Sequence, residues 1–381
     1  MPSTARADTV GSLLRPPYLQ EARQALTEGK STDAAVRAVE DRAVLEAIAL
    51  QEAVGLDVIS DGEARRTNWI ASIGVTAGYK APLGGFVGKT IAAPTWMSFW
   101  RNSRGERSPF QLRAWPVICE PLSVQRDIVA DEYGFLKAHT GRRTKYTFPA
   151  PSYHRVFWNE EFSRDVYPTV DDFLVAVRDY IREHVIERAM ALGCDYVQMD
   201  APNYGQSYTD AEVMAVMAAE GHDLKAELIA DAEIDNSVFE GIAGVTRALH
   251  VCRGNGPGGT WSAAGGYDSF AAAMFPRLTN YDSLLLEYDT PRAGDFSPLK
   301  NVLPSATVVL GLLTTKEGLL EDAALIEQRI REASRYVPLE RLALSPQCGF
   351  ASAGAGNPLT PAEQEAKLRR VVEVARKVWA S

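Results

Sequence analysis

Cysteine is scarce in this sequence, with four residues in a chain of 381. So few cysteines exclude a disulfide framework in a chain of this length, and a reducing compartment would keep them as thiols. A cysteine with a special role is therefore expected in metal binding or catalysis. For Cys119 and Cys194 we favour the simpler interpretation of a small, buried apolar residue.

Long apolar runs and clusters of positive charge are also missing. No stretch approaches the ~18 consecutive apolar residues that span a bilayer, and the first residues lack the apolar core of a secretion signal. The net charge of -9 and the scattered Lys and Arg residues give no attraction for nucleic acid or anionic lipid. We expect a cytoplasmic protein that binds neither nucleic acid nor membranes. A homo-oligomer is compatible with the sequence.

Hydrophobic residues, by contrast, make up 46% of the chain and recur in a regular pattern. Short apolar runs alternate with longer segments of helical period, which is typical of βα units around a parallel sheet. The eight runs lie near residue 9 and at 57–60, 145–149, 195–200, 247–252, 283–287, 306–311 and 341–346. Helices are predicted over 33–54, 170–192, 318–335 and 361–379. The pattern predicts an α/β fold, a (β/α)8 TIM barrel, as a single domain over residues 1–381.

One segment, residues 70–143, interrupts this alternation after the second predicted strand. It is rich in glycine, proline and aromatic residues, including Trp96, Phe99, Trp100 and Trp115. We interpret it as an insertion that caps one mouth of the barrel. The sequence favours neither of two roles for its aromatic side chains, which are packing within the cap and contact with substrate.

Candidate metal ligands follow the predicted strands, where barrel enzymes carry their catalytic groups. His250 and Cys252 are two residues apart at a strand end, so their side chains point to the same side. Glu287 ends the next run after three leucines, and Cys348 follows the last run. Two thiolates, an imidazole and a carboxylate suit zinc better than magnesium or calcium. Taken alone, the His-x-Cys pair is weak evidence for a metal, because buried structural residues are its more common explanation. A carboxylate after three leucines, however, is costly to bury without a partner.

The motifs that contain these residues identify a family. RADTVGSLLRP, SDGEARR, QMDAP, LHVC, LLLE and LSPQCGF occur in this order. The sequence thereby resembles the cobalamin-independent methionine synthase family, specifically the short, single-barrel relatives of its catalytic carboxy-terminal half. The resemblance implies a zinc-dependent thiol S-methyltransferase of methionine biosynthesis, which moves a methyl group from methyl-folate or another small donor to homocysteine. It also implies two sets of site residues: zinc ligands His250, Cys252, Glu287 and Cys348, and homocysteine-binding Ser12, Glu63 and Asp200, of which Asp200 is also a catalytic candidate.

The sequence departs from the family pattern on the side of the methyl donor. Where the family has Asp and His after the seventh strand, this chain has GLLTTKEG with Lys316. Lys316 is a candidate catalytic acid or anion-binding group, or else a solvated surface residue. Tyr153 and His154 replace the folate-stacking tryptophan of the family and are candidate donor-binding residues.

Arg253 and Arg292 are the last candidate site residues. They either hold an anionic group of a substrate or pair with Asp289 or Asp295.

Two alternative functions stay open. The first is a zinc-dependent alkyl transfer or dealkylation with a different thiol or donor, for example by an epoxide-opening thiol transferase. The second is a decarboxylase-like barrel, or one in which zinc only stabilises the fold.

Overall fold

The fold is built around one parallel sheet in a computed structural model that describes residues 5–72, 76–77, 90–91, 94–109, 115–354 and 356–379. The strands are β1 Thr76–Ala77, β2 Thr90–Ile91, β3 Trp115–Pro116, β4 Ser123–Val124, β5 Tyr146–Pro149, β6 Tyr196–Asp200, β7 Thr246–Val251, β8 Ser283–Glu287, β9 Thr307–Leu313 and β10 Leu342–Pro346. The last six form the sheet, in the order β10-β9-β8-β7-β6-β5, and all their pairings are parallel. Each strand therefore lies beside its neighbour in sequence, as in a TIM-type α/β fold.

The first two apolar runs connect the two edges of this sheet. Ala7 forms a parallel bridge with Leu344 in β10, and Ile59 forms one with Thr144 just before β5. The Asp57 N–H donates to the Ala7 carbonyl at 3.0 Å, which links the two runs to each other. The predicted fold class is confirmed, but these two runs are single bridges rather than extended strands.

The helices lie between and after the strands, except for two that precede the first strand. They are α1 Pro17–Thr27, α2 Asp33–Val54, α3 Phe135–Ala138, α4 Glu160–Ser163, α5 Val170–Ile181, α6 Glu187–Ala191, α7 Pro202–Tyr208, α8 Ala211–Ala219, α9 Leu224–Ser237, α10 Ala271–Met274, α11 Ala323–Ala333 and α12 Pro361–Trp379. Short 3-10 turns join several of them, and a π-helical turn connects α5 to α6. No helix in the described part of the chain is both long and apolar enough to cross a membrane.

Helix ends follow local capping chemistry. The predicted helix 33–54 is confirmed, with the Thr32 side chain accepting the Ala35 N–H and Gly55 in the left-handed conformation after its last turn. The predicted helix 361–379 is also confirmed. The predicted start at residue 318 is wrong, because the Asp322 side chain accepts the Leu325 N–H and begins α11 at residue 323.

A small apolar layer and a buried polar cluster lie inside the sheet. The layer takes a side chain from most runs around the sheet: Val10, Val58, Tyr196, Ala248, Leu285, Val309 and Ala343. Beside it, the wholly buried Lys145 donates to Asp8 at 2.9 Å and to Gln198 at 2.8 Å. Because the ammonium group is paired and hydrogen-bonded, its burial is compensated.

The predicted insertion is described only in part. Residues 73–75, 78–89, 92–93 and 110–114 lie outside the described residues, as do the side chains of Trp96 and Trp115. Within the described part, Phe99 and Trp100 are buried. The single domain and the capping role of residues 70–143 stay predictions.

Candidate metal centre and substrate cavity

Three of the predicted metal ligands lie together at the carboxyl ends of the strands. His250 is near the end of β7, Cys252 follows that strand, and Cys348 follows β10. One imidazole nitrogen and the two sulfur atoms all lie within 4.8 Å of one another, and all three residues are buried. A tetrahedral zinc site with Zn–S bonds of about 2.3 Å places its ligand atoms about 4 Å apart. Small movements would therefore bring these atoms to coordination distance.

The imidazole of His250 is oriented for coordination. Its Nδ1 lies 3.2 Å from the Leu285 carbonyl oxygen, and a carbonyl can only accept, so Nδ1 carries the proton. The Nε2 atom is therefore the one available to a metal, and no described residue lies in ordinary hydrogen-bond geometry with it. An unpartnered buried nitrogen beside two thiols fits a metal ligand, because histidine ligands are commonly fixed by a carbonyl on the other nitrogen.

The two thiols are not equivalent. The hydrogen bond from the Cys252 thiol holds the pKa of Cys348 well below its usual range, against burial and with help from His250. The same hydrogen bond, together with burial, raises the pKa of Cys252. The pair therefore favours a thiolate at Cys348 and a protonated thiol at Cys252.

Helix α7 packs tightly against the main chain of Cys252. A Cβ added at Gly205 would lie 2.0 Å from the Cys252 carbonyl oxygen.

The fourth predicted ligand, Glu287, lies outside this three-atom cluster. It ends β8 and is wholly buried. One carboxylate oxygen accepts the Arg253 N–H at 2.8 Å, and the other contacts Arg292 and lies 3.5 Å from the Lys316 Nζ. Burial alone would raise the pKa of Glu287, but Lys316, Arg292 and Arg253 together lower it well below its usual range. Glu287 is thus an ionised carboxylate with cationic partners, and its role as a ligand stays a prediction.

The basic residues near Glu287 serve different purposes. Lys316 is buried rather than solvated, with its Nζ 4.0 Å from Asp289 as well as near Glu287. Arg292 pairs with Glu287. It also lies 3.9 Å from Asp289, one of the two aspartates predicted as its partner. The Arg253 guanidinium instead donates to the carbonyls of Gly265 at 2.7 Å and Glu287 at 2.8 Å. None of the three basic residues lines the cavity beside the cluster.

That cavity, of about 270 Å³, opens next to the two thiols. Its wall combines the three clustered ligands with four residues predicted to bind substrate: Ser12, Glu63, Tyr153 and Asp200. His154, the neighbour of Tyr153, is not in the wall, and its ring packs edge-on against Phe157 at 5.7 Å. Burial lowers the pKa of His154 to about 3, so it is neutral. Of these two predicted residues, Tyr153 therefore lines the cavity and His154 does not.

Two buried carboxylates give the cavity its polarity. Glu63 accepts a hydrogen bond from Thr147 at 2.9 Å with one oxygen, and its Oε2 has no hydrogen-bond partner among the described residues. Its φ of 52° is in the left-handed region, where a side chain stores about 1–3 kcal/mol of strain. Burial raises the pKa of Asp200 to about 7, while the Gln198 amide donates to it at 2.7 Å. The unpartnered oxygen of Glu63 and the buried carboxyl group of Asp200 would both be stabilised by a cationic group in the cavity.

Ser12 closes the cavity at the side of the last strand. Its hydroxyl oxygen accepts the Ala351 N–H at 3.2 Å, which leaves the hydroxyl proton free to donate. A Cβ added at Gly349 would lie 2.1 Å from this oxygen, so only glycine permits the approach. The loop that carries Cys348 is thereby held against the beginning of the chain.

Several cavity residues are not among those singled out from the sequence. Trp69 packs edge-on against Tyr153 with ring centroids 4.5 Å apart. Asn255 and Ser352 also reach the cavity wall, close to Cys348. Asn255 stands three residues after Cys252 and Ser352 four after Cys348, and this proximity to the predicted ligands is the only signal for them in the sequence.

Comparison with known proteins agrees with the motifs. The model of the catalytic domain of cobalamin-independent synthase matches residues 4–87. Over 376 residues the chain is 34% identical to the uncharacterized protein YxjH of Bacillus subtilis (strain 168), which covers 98% of this chain and 94% of that protein. The similarity thus extends over nearly the whole of both chains.

Two solved structures share the architecture. A protein from Listeria monocytogenes, provisionally named a vitamin-B12 independent methionine synthase, superposes with a TM-score of 0.71 at 26% identity and covers 100% of this chain and 99% of its own. A B12-independent methionine synthase from Shewanella sp. W3-18-1, solved in complex with selenomethionine, gives a TM-score of 0.68 at 17% identity over 98% of each chain and supports the fold alone. These comparisons indicate a methyltransferase of the methionine synthase type. The chain belongs to the cobalamin-independent methionine synthase family.

Proposed function

We propose that this protein is a zinc-dependent S-methyltransferase that transfers a methyl group from a small donor to the thiol of homocysteine, giving methionine. The observation that carries the proposal is the cluster of His250, Cys252 and Cys348, whose ligand atoms lie within 4.8 Å of one another beside an acidic cavity. The same three residues are ligands in the pattern implied by the family motifs.

The proposed ligands of zinc are the His250 Nε2 and the sulfur atoms of Cys252 and Cys348. Bound there, zinc would lower the pKa of a coordinated thiol so that it is present as a thiolate at neutral pH. Catalytic zinc sites keep a position for substrate beside three protein ligands. Lys316 and Arg292 hold the Glu287 carboxylate outside the cluster, which leaves that position to the acceptor thiol or to an exchange with Glu287.

The cavity offers complementary groups for an amino acid. Glu63 and Asp200 would receive the ammonium group, since the buried Glu63 Oε2 has no hydrogen-bond partner among the described residues. The Ser12 hydroxyl, with its proton free, would donate to the carboxylate group. A thiol that lacks the ammonium group would leave the Glu63 Oε2 and the buried Asp200 carboxyl group without a cationic partner in the cavity, which is costly.

On the donor side, Tyr153, Trp69 and Trp100 form an apolar wall that would exclude water from the reacting atoms. Burial raises the pKa of Tyr153 far above neutrality, so its hydroxyl keeps its proton and can donate a hydrogen bond. Lys316 reaches the site through Glu287 rather than through the cavity wall, and we propose it as a positioning residue for that carboxylate.

The test compares two acceptor thiols and two cysteine variants. We expect the purified chain to hold zinc and to methylate homocysteine in preference to 4-mercaptobutyrate, which lacks the amino group. Cys348→Ser should lose zinc and at least about 10²-fold in activity while its circular dichroism stays native. Cys119→Ser, which changes a thiol outside the cluster, should keep both.

The alternatives give different results in the same experiment. Equal use of both thiols would contradict the homocysteine assignment and favour alkyl transfer to another thiol. Loss of the native fold together with zinc in Cys348→Ser would favour a structural metal.

A further inference from the structure

A chain of hydrogen bonds leads to the sulfur atom of Cys348. The Asn357 amide nitrogen lies 3.1 Å from the side-chain oxygen of Asn255, and the Asn255 amide nitrogen lies 3.0 Å from the Ser352 hydroxyl. The Ser352 hydroxyl in turn lies 3.5 Å from the Cys348 sulfur, an ordinary distance for a contact with sulfur. Asn255, Ser352 and Asn357 are all buried.

The direction of each bond in this chain is determined by two main-chain carbonyls. The Asn357 nitrogen lies 2.7 Å from the Thr315 carbonyl oxygen, and the Asn255 nitrogen lies 2.7 Å from the Gly349 carbonyl oxygen. Because a carbonyl can only accept, each of these atoms must be an NH₂ group. Flipping either amide would place two oxygen atoms against each other. Asn255 therefore donates one proton to Gly349 and the other to Ser352.

The consequence for Ser352 follows from the capacity of a hydroxyl group. Since its oxygen already accepts from Asn255, its single proton is directed elsewhere, and Cys348 is its remaining side-chain contact among the described residues. A hydroxyl group that donates to a sulfur anion stabilises its charge and restricts the rotation of its side chain.

We propose that Ser352, oriented by Asn255, is a positioning residue that donates a hydrogen bond to the sulfur ligand of Cys348. The inference rests on the proposed function, because it takes Cys348 as a metal ligand. It extends that function beyond the ligands, to a residue that tunes the electron density on one of them. Outer hydrogen-bond partners of this kind commonly change metal affinity by about 10–100-fold.

The test uses Co²⁺ as a spectroscopic probe and zinc competition with a chromophoric chelator, both without substrate. In Ser352→Ala, we expect the thiolate-to-cobalt charge-transfer band to move to longer wavelength, because a sulfur without its donor holds its electrons less tightly. Zinc affinity should fall about tenfold. Ser352→Thr keeps the hydroxyl group and should restore the band. Asn255→Ala releases the Ser352 proton and should give a smaller shift in the same direction.

A matched control is Ser345→Ala, which removes another buried hydroxyl, one that donates to the Pro346 carbonyl at 2.8 Å rather than to a sulfur atom. It should leave the band in place. The proposal is overturned if Ser352→Ala leaves the band unmoved, whether or not zinc affinity falls, or if Ser345→Ala shifts it equally. If the wild-type protein itself binds no Co²⁺ through Cys348, the proposed function fails, and this distinguishes the two outcomes.

Discussion

Replacing Asp200 by asparagine should make the free protein more stable at high pH. Burial raises the pKa of Asp200 from its ordinary value of 3.8 to about 7. At about 1.4 kcal/mol per pKa unit, this difference lowers the free energy of unfolding by about 4 kcal/mol at a pH where the carboxyl group is ionised in both states. The asparagine side chain would keep an oxygen for the Gln198 amide, which donates to Asp200 at 2.7 Å, and it carries no charge.

The sign of the effect depends on pH. Below about pH 4 the carboxyl group is protonated in both the folded and unfolded states, so wild type and Asp200→Asn should differ little. Between about pH 4 and 7 the unfolded chain loses its proton first, and wild-type stability falls relative to the variant. Above about pH 7 the difference should level off near about 4 kcal/mol.

The assay is urea denaturation of the wild type and Asp200→Asn at pH 5 and pH 8, without substrate. We expect a gain for the variant at both values, larger at pH 8 by about 2–3 kcal/mol. The same variant should bind homocysteine at least about tenfold more weakly, because half of the ammonium site is gone. A variant that is no more stable than wild type at pH 8, or whose gain is independent of pH, would refute the reasoning.

Two further predictions concern packing and charge. Gly205→Ala should lower zinc affinity at least about tenfold, because its Cβ would lie 2.0 Å from the Cys252 carbonyl oxygen. Zinc competition would measure this against Gly141→Ala, whose Cβ meets nothing within 4 Å, and equal affinities would contradict it. Arg66→Met should cost about 3–5 kcal/mol of unfolding free energy, because it leaves the buried Glu132, now 2.8 Å from Arg66, without its counter-ion. Adding Glu132→Gln should recover part of the loss in urea denaturation, and a double variant as unstable as the single one would argue against the charge explanation.

Much of the architecture could be predicted because its signals are local. Thr32 and Gly55 cap α2, and Thr360 and Glu363 form a reciprocal pair at the start of α12. The predicted strands near residue 9 and at 57–60, which form only single bridges, were harder to predict. The Thr9 N–H donates to the Asp8 carboxylate rather than to a neighbouring strand, so a local side chain competes with the sheet.

The site was predictable where it depends on strand ends and unpredictable where it depends on loops. The positions of His250, Cys252 and Cys348 follow from the geometry of parallel strands. The side chains that pair with Glu287, Arg292 and Lys316, come from the separate loops that follow β8 and β9, and no spacing in the sequence indicates that they meet there. Asn255 likewise depends on the loop after β7, in which Gly254 has a φ of 84° that no periodic pattern indicates.

The cluster of sulfur and nitrogen atoms also has an order of assembly during synthesis. Two of its members leave the ribosome at positions 250 and 252, but Cys348 emerges almost a hundred residues later, after β8, β9 and β10. A nascent chain would therefore carry only two of the three proposed zinc ligands for most of this interval. The third proposed ligand follows β10, the strand that also pairs with Ala7. Metal capture would thus coincide with the pairing of β10 with the segment around Ala7, and a partly made protein would not retain the ion.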